Sequence, residues 1–585
     1  MRNSRRRFLF NSAAALCLSA ATRAIPAQES APAGRSADQR LLELFDTVAK
    51  RLLEISPQPS LSDETPEGQA RRQRAVTGAL VDLQNFDSRV TLSLRGRLDY
   101  ESVLFATRAE VIARDSFKFG RVDRRISPYV VNHLAGSYLD APDLINNKRP
   151  PADGTELDVY VSRLRDFARN LEGECARIRS DEARGIVPPD FIIARTLTRM
   201  RSQLDKLAAR SILDSVNDPS AIAQGILEHE VIPKLAQQIE LVESSGAHAT
   251  GRGGLVHLKN SGDCYSAALR VGATTEPNVE EFRREGLAEV HDLNTRADRL
   301  LKKIGLARGS IDVRLRKLAS DERYLYPDTD AGKDRAVADM NARIRAILPV
   351  LNPLFNTPID SHIEVRKLTT SEELAGRVGY RVAPALDGSR PGVYFVDLHA
   401  IRDRPTWSLP SVTYHETVPG HLLQLPRQEA AKLHPLRQQL NARGYFEGWA
   451  IYAEVLAQET GVYHDDPVSE IGFLQSRLFR VSRMLVDIGI HVNGWTREQA
   501  ISTLMGMTAQ PRALCETDVE RYFVLPGMIG GDEIGYYGWR AARVAAKRNS
   551  GGKFDLAAFH ERGLQFGPLP LPALHRATTS SQRSS

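Results

Sequence analysis

The sequence predicts a mainly α-helical protein with a small β-sheet, and three observations lead to that fold class. Apolar residues recur at helical spacing through most of the chain, whereas only two short segments have strand character. Both strand segments come shortly before a motif with two histidines. The length of 585 residues exceeds what one hydrophobic core usually supports, so we expect a large body with two lobes.

Amphipathic helices account for most of the predicted elements. Residues 38–55 place six apolar side chains along one stripe, and residues 155–178 place five in the same way. The same period predicts further helices at residues 191–215, 219–243, 279–304, 333–347, 427–457, 468–493 and 497–507. The glycine-rich segment 244–263 is the best candidate for a hinge or a boundary between lobes.

Two segments are predicted as strands. Residues 362–368 alternate between apolar and polar side chains, and residues 392–398 form a short β-rich run between turn residues. We expect them to form a small sheet immediately before the helix that contains the histidine motif.

The N-terminus is typical of an export signal. The arginines of "SRRRFLF" precede a short apolar run and small residues, which matches the twin-arginine pattern and is too short to span a bilayer. Leu16 before Cys17 argues against a lipoprotein cleavage site, so we expect a free periplasmic or secreted protein. The predicted segments are the signal at 1–27, a flexible linker at 28–40, a single two-lobed helical domain at 41–575 and a disordered tail at 576–585.

Charge and cysteine content exclude several classes of protein. The predicted signal contains five arginines and no acid, so its removal lowers the net charge from +6 to about +1. No basic cluster indicates a nucleic-acid partner, no apolar run indicates stable membrane insertion, and nothing indicates an oligomeric state. Cys175, Cys264 and Cys515 could form one disulfide but not a disulfide framework.

The segment "YHETVPGHLLQ" places His415 six positions before His421. Side chains six residues apart on a regular helix point about 240° apart, so the two imidazoles could not share an ion. Pro419 breaks a helix and Gly420 tolerates backbone angles that other residues avoid. We therefore predict a bulge that turns the second histidine back toward the first, while Glu416 acts on a bound water.

Two histidines do not complete a catalytic zinc site, which usually has a third protein ligand and an open position for water. The apolar helical segment "FEGWAIYAEVL" contains Glu447 and Glu454, seven residues apart and nearly on one face. A buried carboxylate in such surroundings is costly unless it is paired or bound to a metal. We predict Glu447 as the third ligand and Glu454 as an acceptor that orients a ligand histidine.

Further along the chain, polar residues at helical spacing indicate a second group of functional side chains near the predicted metal site. The candidates for binding substrate are Arg480, Arg483, Arg521 and Tyr522, and Asp487 is a candidate for positioning a metal ligand. Each arginine could instead form an interhelical salt bridge. An arginine that faces the metal would favour carboxypeptidase-like or dipeptidase-like action, because a guanidinium binds a terminal carboxylate through two hydrogen bonds. His399 is interpreted as a surface histidine.

An ordered set of segments resembles a known bacterial family. Besides "HETVPGHLLQ" and "FEGWAIYAEVL", the set contains "VDIGIHVNGWTREQA", "VERYFVLPG" and "FDLAAFHERGLQFGPLPLPAL". In order and spacing they resemble the family designated domain of unknown function 885 (DUF885), over most of the mature chain. That family is similar to the gluzincin metallopeptidases, which hold zinc with two histidines and a glutamate.

The resemblance implies that His415, His421 and Glu447 bind Zn²⁺ and that Glu416 is the general base. It also implies a two-lobed, metallopeptidase-like body with a deep cleft. The expected function is an exported zinc-dependent hydrolase, most simply a peptidase. Two alternatives are a zinc amidohydrolase that acts on a non-peptide amide and a non-catalytic helical binding protein that retains the scaffold.

The chain departs from the family where a donor for the developing oxyanion is expected. Met528 stands in place of a glutamine and Asp532 in place of a tyrosine. Neither methionine nor an ionised aspartate can donate the corresponding hydrogen bond. The candidates to replace that donor are His491, Tyr536 and Tyr537.

Overall fold

The computed structural model describes residues 36–55, 61–87, 90–123, 125–147, 156–209, 221–360, 362–374 and 377–580. This part of the chain is mainly α-helical with one small sheet, which confirms the predicted fold class. The predicted signal lies outside it. Among the helices described, none is both long and apolar enough to cross a lipid bilayer.

In the part of the chain that the structure describes, twelve α-helices precede the sheet. They are α1 (Ala37–Ile55), α2 (Pro66–Gln84), α3 (Leu94–Ser116), α4 (Ser137–Asn147), α5 (Glu156–Glu182), α6 (Asp190–Ala208), α7 (Ala221–Ile226), α8 (Ile232–Ser245), α9 (Ser261–Ala273), α10 (Val279–Lys303), α11 (Ile311–Ala319) and α12 (Asp330–Leu351). A π-helical turn joins α7 to α8. Apolar side chains of α4, α5, α6 and α8 form a buried cluster of their own.

The sheet has three strands in the order β1–β3–β2. They are β1 (Ile363–Lys367), β2 (Tyr380–Val382) and β3 (Gly392–Val396), and the short helix α13 (Thr370–Leu374) follows β1. β1 runs parallel to β3 and β2 runs antiparallel to it. Both predicted strands are confirmed. The sequence did not predict β2, because three residues are too few to show a period.

Ten helices follow the sheet. They are α14 (Leu409–Glu416), α15 (His421–Ala430), α16 (Pro435–Gln438), α17 (Arg443–Glu459), α18 (Pro467–His491), α19 (Arg497–Thr508), α20 (Arg512–Val524), α21 (Gly530–Asn549), α22 (Leu556–Leu564) and α23 (Leu571–Thr579). The largest buried apolar cluster draws side chains from many of them, together with α9, α12 and the sheet.

The prediction of one continuous helix over residues 427–457 is wrong. α15 ends at Ala430, and only the single turn of α16 lies between it and α17. Lys432 adopts a positive φ of 46°, and Pro435 has no N–H to donate. A regular helix cannot pass through either residue, so the chain changes direction there.

Other predicted boundaries also differ from the structure. α1 begins at Ala37, inside the predicted linker, and α23 includes the first residues of the predicted tail. The glycine-rich segment 244–263 packs against α18. Gly254 has a φ of 96°, and a Cβ there would lie 2.5 Å from the carbonyl oxygen of Ile490, while Leu255 is fully buried.

Helices α17 and α21 cross in close contact at glycines. A Cβ on Gly535 would lie 2.0 Å from the carbonyl oxygen of Gly444, and a Cβ on Gly448 would lie 2.3 Å from the carbonyl carbon of Gly535. The two backbones can approach this closely only because these residues have no side chain. The contact fixes Glu447, which precedes Gly448, beside the first turn of α21.

The variant Gly535→Ala is therefore expected to lower stability. The added methyl group would overlap the backbone of α17, and overpacking of a core typically costs about 1–3 kcal/mol. The matched control is Gly506→Ala in α19, where no heavy atom lies within 4 Å of the new Cβ. That change should be neutral or stabilise the protein by up to about 1 kcal/mol. Denaturant unfolding measures the free energy of unfolding of both variants. Equal losses of stability in the two variants would contradict the proposed contact.

Candidate metal centre

The histidine motif forms two helices joined by a sharp turn. α14 ends at Glu416 and α15 begins at His421, so the predicted interruption of the helix is present. Gly420 has no room for a side chain in this turn, because a Cβ would lie 1.9 Å from the carbonyl oxygen of His415. Glycine is thus required for the second helix to start where it does.

Trp449 on α17 anchors this turn. Its Nε1–H donates to the carbonyl oxygen of Pro419 at 3.0 Å and lies 3.3 Å from that of Gly420. The indole is fully buried. Since Glu447 lies two residues earlier on α17, one helix both holds the turn and supplies the predicted third ligand.

The turn brings His415 and His421 together with Glu447. The two imidazole centres lie 5.0 Å apart with ring planes at 89°. Oε2 of Glu447 lies 3.6 Å from Nε2 of His415 and 3.8 Å from Nε2 of His421, and the three possible ligand atoms all lie within 4.8 Å of one another. Donors around a tetrahedral zinc ion are about 3.3–3.5 Å apart, so a small contraction would suit zinc.

The residues present fit a metal ion. Nε2 of His421 is buried and has no hydrogen-bond partner among the residues described, while Nδ1 lies 3.4 Å from Oε1 of Gln424. Burial lowers the pKa of His421, which favours the neutral ring that a metal requires. An unpaired buried lone pair is costly, and a bound cation would satisfy it.

Glu454 holds His415 from the opposite side. Its Oε1 accepts from Nδ1 of His415 at 2.9 Å, and its Oε2 accepts from the hydroxyls of Ser411 and Ser476. Burial alone would raise the pKa of Glu454, but the hydrogen bond and charge of His415 lower it to about 2. Glu454 therefore makes the contact that its predicted orienting role requires, and Nε2 of His415 is left facing Glu447.

Asp532, at the position where the family has a tyrosine, lies in a charged cluster beside Glu447. Its carboxylate pairs with Arg443, with Nε at 2.7 Å and Nη2 at 2.9 Å. Burial raises the pKa of Asp532, and the negative charge of Glu447 acts in the same direction. Although burial opposes it, the two neighbouring histidines, at 3.6 and 3.8 Å, hold the pKa of Glu447 well below its usual range.

Glu416, the predicted general base, is held by an arginine that the sequence did not identify. Oε2 of Glu416 accepts from Nη1 of Arg381 at 2.6 Å. Arg381 lies on β2, and after burial its charge is a further cause of the lowered pKa of His421. No local pattern connects an arginine on a three-residue strand with a carboxylate 35 positions later. Only the packing of the sheet against the motif shows the pair.

The structure contradicts the prediction that His491 replaces the oxyanion donor. Its Nδ1 accepts from the backbone N–H of Leu255 at 3.2 Å, and its Nε2 donates to the carbonyl oxygen of Tyr522 at 2.9 Å. Burial lowers the pKa of His491 to about 4, so the ring is neutral. Both nitrogens are used in joining α18 to its neighbours, and no donor remains.

The hydrogen bonds of Asp487 do not reach a predicted metal-binding residue. Oδ2 accepts from the hydroxyl of Tyr265 at 2.7 Å and from the backbone N–H of Gly527 at 3.0 Å. Burial raises the pKa of this carboxyl to about 7. Asp487 thus joins α18 to α9 and to the loop before α21, in place of the positioning role that we predicted for it.

Tyr536 and Tyr537 lie beside a different charged cluster. The guanidinium of Arg477 lies 4.2 Å from the ring centre of Tyr536, and that of Arg540 lies 4.9 Å from the ring centre of Tyr537. Arg477 also pairs with Glu533 at 2.6 Å. In the part of the chain described, no hydrogen bond joins either tyrosine hydroxyl to the predicted metal-binding residues.

Of the predicted substrate-binding residues, the structure brings Arg480 to the centre. Its Nη2 lies 3.4 Å from both ring nitrogens of His415 and 3.7 Å from Oε1 of Glu454. The side chain extends from α18, which packs against α14.

Arg483, Arg521 and Tyr522 belong instead to a network around Asp518. Arg483 lies 3.1 Å from one carboxylate oxygen of Asp518 and 3.2 Å from the hydroxyl of Tyr522, which donates to the same carboxylate. Arg521 pairs with the other oxygen at 3.0 Å. These residues form the salt-bridge network that was the alternative interpretation, and Nη1 of Arg483 also lies 3.9 Å from Oδ2 of Asp532.

The solved structures that resemble this fold include those of two bacterial proteins. A protein from Colwellia psychrerythraea described as a "putative lipoprotein" has a TM-score of 0.81 and 25% identity, covering 93% of this chain and 99% of that chain. A protein from Shewanella oneidensis, described in the same words and as of unknown function, has a TM-score of 0.71 and 16% identity with the same coverage. A search of curated proteins gave no significant match.

The sequence profile of one family matches nearly the whole of the described chain. It is a family of bacterial proteins of unknown function, DUF885, and the match spans residues 52–577. The resemblance seen in the ordered motifs is thereby confirmed, and the chain belongs to the DUF885 family.

Proposed function

We propose that this protein is an exported zinc-dependent hydrolase, most simply a peptidase, in which His415, His421 and Glu447 bind the metal. The observation that carries the proposal is the convergence of three ligand atoms within 4.8 Å, one of them the unpaired Nε2 of His421. The proposal includes a similarity of the site to that of the gluzincin metallopeptidases.

The ligand set favours catalytic zinc. Two imidazoles and one carboxylate leave a fourth position open, which distinguishes catalytic from structural zinc sites. When bound, zinc would supply Lewis-acid activation of a water molecule and of the carbonyl that it attacks. The other residues of the site hold groups in place or move protons.

Glu416 is the proposed general base. Its carboxylate accepts a proton from the attacking water and then delivers it to the leaving amine. The ion pair with Arg381 at 2.6 Å orients this carboxylate. Glu454 keeps Nδ1 of His415 protonated, so that the lone pair on Nε2 stays available.

Export is part of the same proposal. The similar protein from Colwellia psychrerythraea is described as a lipoprotein, which supports an exported protein. For this chain we propose that the twin-arginine pattern in residues 1–27 directs export to the periplasm or to the medium.

Zinc analysis tests the metal site. The purified, zinc-loaded protein is expected to hold about one zinc ion per chain after dialysis, and His421→Ala well below that amount, because one of three ligands is lost. Glu454→Gln should retain zinc with an affinity about 10- to 100-fold lower, since His415 loses a charged acceptor. The matched control is His399→Ala, an exposed histidine outside the site. A wild-type protein without stoichiometric zinc would remove the proposal.

The variant Glu416→Gln tests the chemistry. It is expected to bind zinc like the wild type but to hydrolyse peptides at least about 10²-fold more slowly, because glutamine cannot accept the proton. The measurement is turnover of a library of short peptides and non-peptide amides by both zinc-loaded proteins.

The outcomes of this assay separate the candidate functions. Cleavage confined to non-peptide amides would identify an amidohydrolase. Stoichiometric zinc without turnover of any library member would identify a binding protein. Equal rates for the wild type and Glu416→Gln would exclude Glu416 as the base.

A further inference from the structure

Arg480 is a guanidinium at the candidate metal centre that lacks a close ionic partner. Its nearest carboxylate oxygen is Oε1 of Glu454 at 3.7 Å, and its Nε is buried without a hydrogen-bond partner among the residues described. The side chain is 17% exposed, so it is largely fixed by the protein yet reachable from solvent.

The neighbours of Arg480 cannot satisfy its N–H groups. Nδ1 of His415 shares its proton with Glu454, so that nitrogen has no lone pair to offer. Nε2 of His415, also 3.4 Å away, is the atom proposed to bind the metal. Oε2 of Glu454 already accepts from two serine hydroxyls, and Oε1 lies 3.7 Å from Arg480, too far for a hydrogen bond. The guanidinium therefore lies against the imidazole with unused donors.

The other guanidiniums nearby each have a short contact with an acid. Arg381 donates to Glu416 at 2.6 Å, and Arg443 lies 2.7 Å from Asp532. Arg483 and Arg521 lie 3.1 and 3.0 Å from carboxylate oxygens of Asp518. Among these five arginines, Arg480 is the one whose nearest carboxylate oxygen is as far as 3.7 Å, so it has capacity for an additional anion.

The charge balance of the centre also favours an anion. Arg483 lies 3.9 Å from Asp532 and so joins the centre to the Asp518 network. Together they contain five guanidiniums and five carboxylates, which balance; the carboxylates are Glu416, Glu447, Glu454, Asp518 and Asp532. A divalent cation would leave an excess of two positive charges. In a partly buried site such an excess attracts an anionic group of a ligand, and Arg480 is the cation available to pair with it.

We propose that Arg480 binds a carboxylate of the substrate. A guanidinium binds a carboxylate through two parallel hydrogen bonds, which fixes both its position and its orientation. Because Arg480 lies against His415, the carboxylate would be held next to the reacting bond. The substrates are then peptides with a free C-terminus, from which the terminal residue is released.

The reaction class follows from the proposed function, on which this inference rests. Water adds to the scissile carbonyl carbon, the C–N bond breaks, and the leaving nitrogen receives the proton that Glu416 has taken up. The products are a shortened peptide with a new carboxylate and a free amino acid. No other reactant is required.

The first test compares two substrates with the zinc-loaded protein. An N-acetylated dipeptide with a free C-terminus is expected to be hydrolysed faster than its C-terminal amide. Arg480→Met should lower kcat/KM for the free acid by about 10- to 100-fold, the loss typical of a hydrogen bond to a charged group, and should lower it much less for the amide. Arg480→Lys should fall between, because it keeps the charge but not the paired donors.

A second test does not depend on turnover. Calorimetric titration of the zinc-loaded protein with N-acetyl-phenylalanine and with its amide measures carboxylate binding directly. We expect the wild type to bind the acid more tightly than the amide, and Arg480→Met to bind the acid about 10- to 100-fold more weakly. If no peptide is hydrolysed, the proposed function fails, whereas this titration still decides the role of Arg480.

Arg512→Met is the matched control. Arg512 is an exposed arginine on α20 that pairs with Glu498 at 2.6 Å, outside the site. Arg512→Met should leave the preference for the acid over the amide unchanged. Thermal unfolding should show that Arg480→Met is folded. Equal binding of acid and amide by the wild type, or equal effects of Arg480→Met on both, would overturn the inference.

Discussion

The turn between α14 and α15 is the constraint on which the rest of the site depends. Without it, His415 and His421 would point to different sides of one helix. Gly420 allows the turn, because any side chain would overlap the carbonyl oxygen of His415. Trp449 fixes it by donating to the backbone at Pro419. Since α17 also contains Glu447 and Glu454, the helix that stabilises the turn brings both carboxylates to the histidines.

Burial makes the charges of the centre interdependent. A charge removed from water must be paired, and Glu454, Glu416 and Asp532 each have a close cationic or hydrogen-bonding partner. Among the residues described, Nε2 of His421 has no hydrogen-bond partner, and the guanidinium of Arg480 has no carboxylate oxygen nearer than 3.7 Å. A cation and an anionic ligand bound side by side would satisfy both, which links the proposed metal to the proposed substrate class.

Asp532, where the resemblance to the family predicts a tyrosine, has a different role in this structure. Asp532 cannot donate a hydrogen bond to a developing oxyanion when it is ionised. Instead it holds Arg443 beside Glu447, through contacts of 2.7 and 2.9 Å. A neutral hydroxyl is thus replaced by an ion pair. The glycine contact between α17 and α21 makes this pair possible, because it brings the two helices together at that turn.

The sequence by itself determined the helical class, the two longer strands, the broken motif helix and the pair of acids on α17. These features are local: periodicity reports which side chains are buried, and proline and glycine report where a helix must end. Only the tertiary structure decided the partners of the charged residues. It assigned Arg381 to Glu416, Arg483 to Asp518 and the two nitrogens of His491 to backbone groups. Such pairs join residues far apart in the chain. They depend on which helices cross and on where along each helix the crossing lies, and no local sequence pattern encodes those crossings.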